Sequence, residues 1–85
     1  MAEEIIDLRG TKRSEIIGYF SGMDGIHTRA GKFVYRDWEV EVGEEGVHTV
    51  GSLRFPSVKV TFRGEKELLE KEIYAFRIRF WTAGA

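Results

Sequence analysis

The sequence predicts an α+β fold. It reads as an antiparallel sheet of four to five strands with helices packed on one face, in the order β-α-β-β-β-β-α. Three observations predict it. Apolar and charged residues alternate through the middle of the chain, as in a sheet with one wet face. One helically spaced apolar segment precedes that region, and a highly charged one follows it. Finally, 85 residues with 42% hydrophobic content suffice for one small domain, residues 1–85, with one modest core.

Glu4-Ile5-Ile6-Asp7-Leu8 reads as the first strand, broken by Arg9-Gly10. Thr11 suits a helix N-cap, its hydroxyl meeting a free amide of the first turn. Ile16, Ile17, Phe20 and Met23 follow at helical spacing. Gly18 interrupts them at a cost of about 1 kcal/mol relative to Ala, which implies a closely packed backbone or a shorter helix. Gly22 and Gly25 offer stops.

Four strands are expected next. Lys32–Arg36 is the first. In the second, Trp38, Val40 and Val42 alternate with Glu39 and Glu41. Gly43-Glu44-Glu45-Gly46 reads as a hairpin loop, with glycines able to take positive φ. The third strand runs from about Val47 to Phe55, with a bulge or bend at Gly51 and an end at Pro56. Val58, Val60 and Phe62 then alternate with Lys59, Thr61 and Arg63. Val40, Val60 and Phe62 are expected to point into the core.

The tail allows two readings. Residues 65–72 are helical. Continued as a helix, the chain puts Leu69, Ile73, Phe76 and Phe80 on one face and Tyr74, Ile78 and Trp81 on the other. Residues 74–81 also alternate as a strand would. The unbroken 4-3-4 spacing favours one long helix. Its outer stripe of Tyr74, Ile78 and Trp81 then predicts a contact with another chain, as in a homodimer.

Composition excludes much chemistry. The chain contains no Asn, Gln or Cys, beside 32% charged residues. Depletion of thermolabile residues with dense charge is a mark of proteins that work at high temperature. Without Cys there is no disulfide, thiol nucleophile or thiolate ligand, which agrees with a reducing compartment. The start is acidic, and no signal peptide or long apolar span is seen, so the expected location is the cytoplasm. Thirteen basic against fourteen acidic residues leave a net charge of −1, without a long-range field for nucleic acid or anionic lipid.

Local motifs add little. His27 and His48 lack metal-ligand spacing and read as solvated histidines, so no metal or other cofactor is expected. Ser14, Ser21, Ser52 and Ser57 lack a nucleophile turn. No phosphate-cradling loop appears, and Gly22-Met23-Asp24-Gly25 carries an acid where an anion would sit. Glu39/Glu41 and Glu44/Glu45 read as solvated charges rather than an acid–base pair. No catalytic residue is assigned. The sharpest local feature is Phe76-Arg77-Ile78-Arg79-Phe80-Trp81, where Arg77 and Arg79 are candidates for contact with an anion or RNA. Acidic residues crowd the preceding turns, which favours a packed element with arginines reaching outward.

The element order, with Phe55-Pro56-x-Val58-x-Val60 before Gly64 and a charged helix ending in aromatics, resembles the small C-terminal domain of MoaD-related proteins, relatives of the molybdopterin-synthase small subunit. The resemblance covers nearly the whole chain. It implies a β-α-β4-α arrangement of the TATA-box-binding-protein-like class. It also implies an accessory module linked to molybdopterin or sulfur-carrier metabolism, with no functional residue carried over. Sulfur carriers end in Gly-Gly, whereas this sequence ends Ala83-Gly84-Ala85, so a carrier role is not expected. The function expected is therefore a non-enzymatic interaction domain. The alternatives are a small-ligand site between sheet and C-terminal helix, or an RNA-contacting domain.

Overall fold

A computed structural model of the chain describes residues 1–23, 25–29 and 31–80. The order is β1 (Ala2–Arg9), α1 (Arg13–Ser21), β2 (Ile26–Arg29), β3 (Lys32–Val34), β4 (Trp38–Val42), β5 (Gly46–Val50), β6 (Leu53–Gly64) and α2 (Lys66–Arg79). The α+β class is as the sequence predicts: an open antiparallel sheet with two helices packed against it. Six strands replace the expected four to five. They lie in the order β1-β6-β4-β3-β2, with β5 paired to β6 beyond β4.

The additional strand is β2, whose residues sit between glycines and read as a loop. It pairs with β3, with Ile26 opposite Val34 and His27 opposite Phe33. The hairpin and the bulge of the middle region are exchanged relative to expectation. Val42 faces Val60, and Gly46 faces Ser57, so Gly43–Glu45 put three residues against Val58 and Lys59. Thus β4 and β5 run in the same direction along one side of β6, joined by a one-residue bulge. The hairpin lies instead at Gly51-Ser52, between the facing residues Val50 and Leu53. Gly51 takes φ +59° at the first turn position, as a two-residue hairpin with that glycine requires.

Pro56 does not end a strand. Its carbonyl accepts the Gly10 N–H at 2.8 Å. A strand residue aims its N–H and C=O to the same side. The missing N–H therefore falls towards β1, which ends at Arg9, and β5 loses no bond.

The core lies between one sheet face and the helices. Val40, Val42, Val58, Val60, Phe33 and Phe62 are buried from the sheet side, and Ile16, Phe20, Leu69 and Phe76 from the helices. Phe62 is 0% exposed and faces Val40 directly. Phe20 stacks on Phe76 at 5.5 Å and meets the edge of Phe62 at 6.0 Å. Tyr35 stacks on Trp38 at 4.3 Å, and its hydroxyl donates to the Phe20 carbonyl at 2.9 Å. Burial, with Glu72 and Tyr19 nearby, pushes the Tyr35 phenol up to about 12.

Helix α1 begins one residue later than expected. Lys12, not Thr11, is the N-cap, and Thr11 is buried. The Glu15 carboxylate accepts the Lys12 N–H at 3.2 Å, and Glu45 from the bulge accepts the Arg13 N–H at 2.8 Å. Charged acceptors thus take the place proposed for a hydroxyl, with the helix dipole favouring them. Gly18 lies within the helix, and a Cβ there would meet nothing within 4 Å. The helix is shorter than the spacing through Met23 suggests, ending at Ser21, but it still encloses Gly18, and close packing does not account for the glycine.

Candidate interaction surface

The tail is helical through Arg79, and its two faces separate as the spacing predicts. Leu69, Phe76 and Phe80 are buried against the core, with Ile73 packed beside them. Tyr74 and Ile78 are 69% and 59% exposed. Trp81 lies outside the described residues. The unbroken helical spacing was the informative signal here, and the strand-like alternation of residues 74–81 was incidental.

Tyr74 and Arg77 border a groove of about 270 Å³ between α2 and β1. Leu69 and Ile73 give it an apolar wall, while Ala2 and Glu4 form the opposite side. Lys66 and Glu70 complete the lining. Sequence reasoning named Tyr74 and Arg77 but missed Glu4. Glu4 faces Phe62 across the ladder and so shares the helix-covered sheet face, a fact that only the register of β1 on β6 reveals. Arg79 belongs elsewhere, with its guanidinium 5.3 Å from the Phe80 ring centre.

The groove borders a bare edge. β1 ends the strand order, and among the described residues no strand covers its outer side. Two hydrogen bonds fix which groups point outward. Gly10 donates inward to Pro56, and Gly43 donates to Lys59 at 2.8 Å from the other side of β6. Even-numbered positions of β6 therefore serve β1, and even-numbered positions of β1 point inward. The backbone groups of Glu3, Ile5, Asp7 and Arg9 point to the open edge. Their side chains lie on the sheet face away from the helices. There Glu3 pairs with Arg63 at 2.7 Å, and Arg63 also reaches Glu39 and Glu41 at 3.7 Å. Ile5 is 58% exposed among these charges.

The histidines lie apart from the groove. His27 stacks on Phe33 at 4.4 Å, and its Nε2 accepts the Gly31 N–H at 3.2 Å. His48 lies 3.4 Å from the Arg9 guanidinium. Among the described residues, no group of three or more His, Asp or Glu is placed to hold a metal ion. No described helix is long and apolar enough to cross a membrane.

A small antiparallel α+β fold with both helices on one face, and with the first strand bare among the described residues, is the class this architecture defines. The chain belongs to the archaeal MoaD-like protein family, which matches residues 4–85. Comparison with curated proteins gives no match.

Proposed function

We propose that this chain is a non-enzymatic interaction domain that joins another polypeptide by strand addition at β1, in the service of molybdopterin or sulfur-carrier metabolism. The bare β1 edge beside the α2 groove carries the reading. An extended segment laid against β1 gains main-chain hydrogen bonds, and the groove offers a recess for its alternate side chains. The family supplies the metabolic link. The exposed Tyr74 and Ile78 of α2 extend the same surface and support association with a second chain.

The groove favours this over a small-molecule site. At about 270 Å³ and open on one side, it falls below the roughly 300–1,000 Å³ of pockets that enclose ligands. RNA contact is disfavoured by Glu4 and Glu70 beside Arg77 and by the net charge of −1.

Ile5→Pro tests the reading. It removes one outward N–H from an edge strand, a place where proline is tolerated. The variant should keep its circular dichroism spectrum and lose association, measured by ultracentrifugation alone and with a sulfur-carrier protein. Association that survives unchanged would sink the proposal.

The absent amides and the charge network around Arg63 also support work at high temperature. The melting midpoint should exceed the range of about 45–65 °C typical of mesophile domains. A midpoint within that range contradicts this part.

A further inference from the structure

We infer that the chain that joins β1 is a second copy of this protein, paired antiparallel about a two-fold axis at Ile6. The inference rests on the reading of β1 as a strand-addition edge and names its occupant. The argument comes from register and charge. A continuous sheet across the axis puts like-facing residues opposite each other, so the sum of paired residue numbers is even. With the axis at Ile6, Ile6 faces its own copy on the helix-covered side. Ile5 faces Asp7, and Glu3 faces Arg9, twice by symmetry.

The neighbouring registers fail. An axis at Ile5 sets Glu3 against Asp7. An axis at Glu4 or Asp7 sets each of those carboxylates against itself. Like charges directly opposite destabilise a ladder, and opposite charges support it. An axis at Leu8 would bring Asp7 and Arg9 together but leave about half of the edge unpaired. Only the Ile6 axis combines nearly the full length of β1 with opposite charges.

The same register accounts for the groove. It sets Leu8 of the second copy opposite Glu4, at the groove mouth, where Leu69 and Ile73 supply apolar wall. Leu8 is half-buried in the single chain and packs against the edge of the core. The two α2 helices then lie on the same face on either side of the axis, with Tyr74 of each at the border of its groove. In this arrangement the outward backbone groups pair at Glu3, Ile5, Asp7 and Arg9, while Ile6 and its copy form a non-hydrogen-bonded pair.

The chain has no cysteine, so single thiols give a clean test. Non-hydrogen-bonded partners lie about 4.5 Å apart at Cα, within the disulfide range of about 4.4–6.8 Å. Ile6→Cys should oxidise to a covalent dimer, and Ile5→Cys should remain largely uncrosslinked. Glu3→Cys mixed with Arg9→Cys should give the mixed dimer in preference to either homodimer. Amide exchange on the unmodified protein should show protection at Ile5 and Asp7 that is lost on dilution. Crosslinking at Ile5→Cys instead of Ile6→Cys would overturn the register. A monomer at about 100 μM overturns the second copy alone. A dimer with unprotected Ile5 and Asp7 amides overturns the edge reading as well.

Discussion

The two halves of β6 share one backbone and differ in almost everything else. From Val58 to Gly64, alternate residues are buried, with β1 on one side and β4 and the bulge that follows it on the other. From Leu53 to Phe55 the strand has only β5 beside it, and both strands stay exposed, Val47 at 67% and Leu53 at 60%. Both halves alternate apolar and polar residues, Leu53-Arg54-Phe55 in the outer one and Val58-Lys59-Val60 in the inner one. Alternation therefore identifies a strand but not its burial. What distinguishes the halves is the length of β1 and the reach of the helices, neither of which is encoded in β6 itself.

The comparison is sharpest at Phe62. Phe62→Ala should cost about 3–5 kcal/mol in chemical denaturation, because the ring is fully buried among Phe20, Trp38 and Phe76. That is a large part of the stability of any domain this size. A loss below about 1 kcal/mol would invert the register.

Tyr35→Phe should cost about 1 kcal/mol near neutrality through its lost hydrogen bond to Phe20. Its effect on pH dependence is more specific. The folded phenol titrates near 12 instead of the ordinary 10.0, so the neutral hydroxyl is favoured by the fold. The associated stability is fully present below pH 10 and falls as pH rises towards 12. The variant should show a shallower loss over that interval. Identical alkaline profiles would exclude Tyr35 as the group responsible.

Gly18→Ala should raise stability by about 0.5–1 kcal/mol, since the helix gains propensity and the new methyl meets open space. A loss would reveal a contact at that face. At the small end, Leu53→Ser on the exposed half of β6 should change stability by no more than about 0.5 kcal/mol in dilute solution. A cost above about 2 kcal/mol would erase the contrast between the halves and show that the arm is packed.

Much of the fold was legible in the sequence. Val40, Val60 and Phe62 face the core as their alternation required, and Leu69, Phe76 and Phe80 as their helical spacing required. Local composition failed where two structures share one set of residues. Gly43-Glu44-Glu45-Gly46 suits a hairpin, but Glu45 instead binds the start of α1, and Arg13 Nε donates to the Gly43 carbonyl at 2.9 Å. Those contacts span some thirty residues and have no periodic trace. His27 was hidden for a similar reason, because a four-residue edge strand is too short to show alternation. At the candidate surface, Tyr74 and Ile78 could be read from the helix alone, whereas the place of Glu4 required knowing which strand lies beneath α2.

The extra residue between β4 and β5 acts as a frameshift in the code of faces. Before it, even-numbered residues such as Val40 and Val42 lie on the helix side. After it, odd-numbered Val47 and Thr49 share the side of Pro56 and Arg54, while His48 and Val50 pass to the other with Phe55 and Leu53. A one-residue deletion there would remove the bulge and restore the count, yet leave Val47 opposite Pro56 and every side chain of the arm on its present side. The bulge is thus a slack loop in the count: it lets the chain take up one residue while the faces of the strands on either side are kept.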